Sequence, residues 1–78
     1  MSSSVLSDRF GAVVRRLREG RGWSQEHLAG QADLNRSYLG EIERGVATPS
    51  IHSAAKLAGA FGVSLSELIA RCEEPSTV

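Results

Sequence analysis

At 78 residues with 41% hydrophobic content the chain has room for one domain, whose core yields only about 3 to 5 kcal/mol of net stability, so self-association is an expected reinforcement. Nine basic and nine acidic residues cancel, no apolar run is long enough to span a bilayer and no signal peptide is visible, so a cytoplasmic protein is expected. Cys72 has no second cysteine to pair with, His27 and His52 fall on separate helices, and nothing aligns a nucleophile with a base, which excludes a disulfide, a metal or other cofactor and an enzyme.

The pattern predicts an all-α protein, with residues 1–5 an unstructured start, 6–72 the domain and 73–78 an unstructured tail. From Leu6 to Glu19 the residues Leu6, Phe10, Val13, Val14 and Leu17 share one helical face, with Arg15 and Arg16 pointing away and Arg18 at the edge. Gly20, Arg21 and Gly22 form a turn, where Arg21 is either a phosphate contact or simply solvated.

A second helix starts at Gln25, capped by Ser24, with Trp23 and Leu28 placed as a hydrophobic staple. Leu28, Ala29 and Ala32 face inward. Asp33 then occupies a corner that needs the left-handed conformation, which Asp tolerates better than most residues. Asn35 caps a third helix whose inward positions are Leu39 and Ile42, with Leu34 and Leu39 as its staple. Winding at about 100° per residue puts Arg36, Ser37, Gly40, Glu41 and Arg44 on the opposite, polar side. Gly40 weakens the helix, so either a neighbouring helix or a groove wall is expected close to it.

Gly45 to Thr48 is a loop, and the fourth helix opens either with Thr48 as cap and Pro49 in the first turn or with Ser50 as cap. It runs to Phe61 with Ile51, Ala54, Ala55, Leu57, Ala58 and Phe61 over a wide arc. After Gly62, Ser64 and Glu67 form a capping box and Val63 and Leu68 a staple. Leu65, Leu68, Ile69 and Cys72 line one face of a fifth helix. Leu57, Leu65 and Ile69, nearer the rim, are expected in a symmetric dimer contact.

Four blocks in this order resemble the phage repressor and Cro-type helix-turn-helix domains, the XRE family. They are Trp23 to Ala29, Leu34 to Gly45, Thr48 to Ser50, and Leu57 to Leu68, and the resemblance extends from about Arg15 to Ile69. It implies a compact bundle of five helices in which the third lies in the DNA major groove. It also implies an ion pair between Arg18 and Glu43 that joins the first helix to the third. The Asn35-Arg36-Ser37-Tyr38 block is further similar to controller proteins of restriction-modification systems, which regulate their own operon.

On that reading Arg36 is the foremost base reader, because a bidentate bond to guanine is the commonest specific contact. Ser37, Asn35 and Glu41 are the other base-reading candidates. Gln25 is expected to face outward and donate to a phosphate beside the free N–H groups of its helix, the role the resemblance gives it. Tyr38 through its hydroxyl, Arg44, Thr48 and Ser50 complete the phosphate contacts. The expected partners are double-stranded DNA, a second copy of the chain and RNA polymerase, the last through exposed acids such as Glu26, with no membrane. Between Arg9 and Arg44 seven arginines face five acids, which favours DNA over what the neutral total suggests. The competing expectation is a protein-binding module, an antitoxin or adaptor, that holds its partner on the wide arc of the fourth helix.

Overall fold

The computed structural model describes residues 3–73, which contain five helices and no strand: α1 (Ser3–Gly20), α2 (Gln25–Ala32), α3 (Arg36–Glu43), α4 (Ile51–Phe61) and α5 (Leu65–Glu73). The expected tail from Glu74 onward lies outside the described residues. Helix α1 packs on α3 and α5, α2 on α3 and α4, and α4 on α5, so α3 is held from behind by α1 and α2. Its inward residues Leu39 and Ile42 are fully buried with Val14, Leu28, Leu57 and Leu68.

Helix boundaries have local causes. The Ser24 hydroxyl accepts the His27 N–H, the Asn35 Oδ1 accepts the N–H groups of Ser37 and Tyr38, and Ser50 accepts that of Ser53, each satisfying a donor that the helix start leaves orphaned. Ser50 therefore caps α4, and Thr48 does not. Its hydroxyl pairs instead with Ser7 of α1 at 3.0 Å. Ser64 caps α5 by accepting the Glu67 N–H, while the Glu67 carboxylate bonds Arg71 at 3.0 Å rather than closing the box.

The α2–α3 corner is closed at Asp33, the one non-glycine residue with positive φ (55°) among the described residues. The Leu34 N–H reaches the Ala29 carbonyl at 2.9 Å and the Asp33 N–H reaches Gly30 at 3.3 Å, the paired bonds of a Schellman motif. Lys56 of α4 donates to the Asp33 carbonyl at 3.2 Å, fastening the corner to the bundle.

The structure corrects the sequence expectation at several positions. Helix α1 reaches back to Ser3 and meets the α3–α4 loop through the Ser7–Thr48 hydroxyl pair; Ser7 is buried, while Leu6 is 36% exposed rather than in the core. Leu57 is completely buried and cannot form a dimer contact, because α4 turns Ala54, Leu57, Ala58 and Phe61 inward together. Ile51, by contrast, is 80% exposed. Leu6, Phe10, Pro49, Ile51, Leu65 and Ile69 line an apolar groove of about 310 Å³ between α1, α4 and α5.

Gly11 sets the crossing of α1 over α3. A Cβ there would strike the Ile42 carbonyl and lie 2.8 Å from the Glu43 carbonyl oxygen. Only a residue without a side chain lets the two backbones approach so closely.

Candidate nucleic-acid interface

The polar side of α3 is free because its other side is committed to the core. Arg36, Ser37, Glu41 and Arg44 are all exposed on it, at the spacing of one helical face. Arg36 Nε stands 3.8 Å from Glu26 Oε1 of α2, and with the side chains 58% and 81% exposed the pair is a weak tether that the guanidinium can leave. The Asn35 Oδ1 is spent on capping, which leaves only the amide nitrogen for an outside acceptor.

Behind this face lies a buried polar joint. Arg18 binds Glu43 in bidentate fashion, Nε to Oε2 at 2.8 Å and Nη2 to Oε1 at 3.0 Å, with side-chain exposures of only 11% and 3%. Arg18 Nη1 also donates to the Trp23 carbonyl at 2.8 Å, so one guanidinium ties α1 to the entrance of α2 and the end of α3. The hydrogen bonds that Arg18 donates to Glu43 raise the Arg18 pKa above the ordinary arginine value, against the opposing effect of burial. Gln25 joins the same joint through an Nε2 bond to Glu43 Oε1 at 3.0 Å. Its amide is therefore turned inward rather than presented outward, because a carboxylate one helix away is the stronger acceptor.

Four other expected phosphate contacts, Tyr38, Ser50, Thr48 and Arg21, have internal partners. The Tyr38 hydroxyl donates to Ser53 Oγ at 3.3 Å, and Ser53 also accepts from the Ser50 hydroxyl at 3.1 Å, so these groups form a chain at the start of α4. Thr48 is engaged with Ser7 as described. Arg21 donates through Nη2 to the Phe61 carbonyl at the end of α4, with its guanidinium 5.0 Å from the Trp23 ring centre and 5.3 Å from that of Phe61. Arg21 is thus anchored rather than simply solvated, and one Nη2 bond leaves its other guanidinium N–H groups uncommitted among the described residues. The Trp23 and Phe61 rings stack at 5.9 Å, which gives the cation a two-ring platform at the end of a helix dipole.

Gly40 is buried under side chains rather than open to solvent. A Cβ at that position would lie 3.4 Å from Arg44 Nη1 and 3.8 Å from Gln25 Oε1. Sequence reasoning missed Ser53, which the Ser50-x-x-Ser53 spacing could have marked as a capping partner, and the pairing of Glu26 with Arg36, which needs the α2–α3 crossing. Among the described residues there is no cluster of ligands fit to hold a metal ion. No described helix is long and apolar enough to cross a membrane.

The helix-turn-helix profile HTH_3 matches residues 14–68, which takes in the whole of this interface. The chain belongs to this helix-turn-helix family, of the XRE type. Among its relatives are the control protein C.MunI of Mycoplasma sp, 39% identical over 67 residues (85% of this chain, 90% of that protein), and the control protein C.BamHI of Bacillus amyloliquefaciens, 38% identical over 71 residues (83% and 88%). The crystal structure of the restriction-modification controller protein C.AhdI from Aeromonas hydrophila superposes with a TM-score of 0.75 at 42% identity, covering 80% of this chain and 94% of that one. This helix-turn-helix chain is a DNA-binding transcriptional regulator and not an enzyme.

Proposed function

We propose that this regulator binds a roughly palindromic operator as a homodimer in the cytoplasm and controls its own operon, as a restriction-modification controller protein. The observation that carries the reading is the division of α3, with Leu39 and Ile42 fully buried and Arg36, Ser37, Glu41 and Arg44 exposed on the other side. The likeness to C.MunI, C.BamHI and C.AhdI over nearly their full lengths supports the controller role.

Arg36 leaves Glu26 and bonds a guanine edge, with Ser37, the Asn35 amide and Glu41 reading neighbouring base edges. Arg44, the free N–H groups that open α4 just after Ser50, and Gln25 hold phosphates, Gln25 through the amide hydrogen that Glu43 does not take. Tyr38 contributes by fixing Ser53 and Ser50 rather than by touching phosphate itself. Release of Arg36 leaves Glu26 exposed beside the DNA, where a contact with RNA polymerase is geometrically open. Leu65 and Ile69, with Leu6 and Ile51 in place of Leu57, supply the dimer contact. It sets the two α3 helices about 34 to 36 Å apart in successive major grooves.

The test is binding of the purified protein to its own upstream DNA against competitor over a salt series, with the solution mass determined alongside. A dimer on one inverted repeat is expected. Arg36→Ala is expected to lose about 1 to 3 kcal/mol of discrimination between operator and unrelated DNA, with fold and mass unchanged. Equal affinity of the wild type for all sequences would refute the reading and favour the partner-binding module.

A further inference from the structure

A polar cleft of about 270 Å³ lies beside the α3 face, lined by Arg15 and Arg18 of α1, Gln25 of α2, and Glu43 and Arg44 at the end of α3. The three guanidiniums face a single carboxylate, and that carboxylate is already consumed by Arg18 and Gln25. The unspent charge therefore belongs to Arg15 and Arg44, which reach the cleft from different helices. Among the described residues Arg15 is held by Glu19, at 3.2 Å, with side chains 64% and 56% exposed, a pair that yields readily to a stronger anion. At Gly40 the missing side chain lets Arg44 and the Gln25 amide converge within 4 Å of one point on α3.

We infer that this cleft is a seat for one DNA phosphodiester, and that Arg15 is a backbone-positioning residue gripping the duplex from α1. The inference rests on the DNA-binding reading of α3 and adds a contact to it. A phosphate oxygen there meets Arg15, Arg44 and the second amide hydrogen of Gln25. The buried Arg18–Glu43 pair forms the floor of the seat and keeps Gln25 in place. Such a contact positions the protein without reading sequence.

The experiment compares Arg15→Gln with wild type on an operator fragment and an unrelated duplex over a chloride series. Loss of one phosphate contact is expected to reduce the slope of log K against log salt by about 0.9 on both DNAs, which amounts to about fivefold weaker binding near 0.15 M salt. The operator preference is expected to stay unchanged. Glu19→Gln, which removes the competitor for Arg15, is expected to tighten binding to both DNAs. Arg16→Gln serves as the charge control, since Arg16 lines a separate cleft with Glu67 and Arg71. Thermal melts of each variant separate loss of contact from loss of fold.

Equal slopes for Arg15→Gln and a wild type that binds DNA would overturn the seat alone. A fall just as large in Arg16→Gln would also overturn it, by reducing the effect to general charge. A wild type that binds no duplex would overturn this inference together with the regulator reading. Repeating the series in inorganic phosphate at equal ionic strength distinguishes a free anion. Inhibition peculiar to phosphate, and abolished by Arg15→Gln without a change of chloride slope, would assign the cleft to free phosphate instead.

Discussion

Replacing Glu43 by Gln tests how α3 is held at its working angle. The carboxylate accepts three donors, Arg18 Nε at 2.8 Å, Arg18 Nη2 at 3.0 Å and Gln25 Nε2 at 3.0 Å, and its side chain is 3% exposed. An amide of the same shape keeps one acceptor oxygen and turns an N–H₂ group toward a guanidinium that has nothing to accept with. Breaking a buried pair by removing one partner costs about 3 to 5 kcal/mol. The lower end, about 3 kcal/mol, is expected here because Arg18 retains the Trp23 carbonyl at 2.8 Å. In a domain of this size each kcal/mol moves the midpoint by about 4 to 8 °C, so the melt should fall by about 12 °C or more. Urea titration of Glu43→Gln, Arg18→Gln and the double variant completes a cycle in which the double is less damaging than the sum of the singles. A loss below about 1 kcal/mol, the worth of a surface pair, would refute the claim that burial makes this joint strong.

Two glycines give opposite expectations. Gly11→Ala drives a methyl into the backbone carbonyls of Ile42 and Glu43, which cannot move aside as a side chain tip can. It should cost about 1 to 3 kcal/mol or more by overpacking, and an unchanged melting temperature would mean that α1 does not cross α3 so closely. Gly40→Ala meets only ordinary contacts, the nearest being the flexible Arg44 Nη1 at 3.4 Å, so the helix should gain about 0.8 to 1 kcal/mol. The same variant is expected to bind the operator more weakly, because the methyl occupies space between Gln25 and Arg44 where a phosphate oxygen would approach both. A more stable variant with undiminished binding would remove Gly40 from the interface.

Much of the architecture was legible in the sequence because its signals are local. Ser24, Asn35 and Ser64 each stand at a helix start with their bonding partner two or three residues ahead, and Asp33 closes its corner with bonds to the preceding turn. The inward set Leu28, Leu39 and Ile42 follows from periodicity alone. What periodicity does not report is where a side chain ends when two acceptors compete. Gln25 was expected to point outward because its helix position is outward, yet Glu43 from another helix captures it. Arg21, Thr48 and Tyr38 find partners at Phe61, Ser7 and Ser53, separations of 40, 41 and 15 residues that no local pattern encodes. The pattern places Leu57 near the rim with Leu65 and Ile69, yet α4 turns it inward with Ala54, Ala58 and Phe61, so that it is fully buried.

The neutral total charge is compatible with DNA binding because the acids are unequal in what they neutralise. Glu43 is spent in a buried joint whose arginine makes no claim on solvent. Glu19 and Glu26, which face Arg15 and Arg36, hold them in exposed pairs, and Asp33 pairs with Lys56 of α4 at the α2–α3 corner. Exposed pairs contribute about 0 to 1 kcal/mol each, whereas a bidentate bond to guanine discriminates by about 1 to 3 kcal/mol, so the balance at Arg36 tips toward the right base and stays near even elsewhere. An internal carboxylate beside a base-reading arginine thus lowers affinity for the operator by the full worth of the pair, and for unrelated DNA by less, because there Arg36 can stay on Glu26. Glu26→Gln should accordingly strengthen binding to the operator more than to unrelated duplex. Equal strengthening of both in competition titrations would show that Glu26 acts only as a diffuse negative charge.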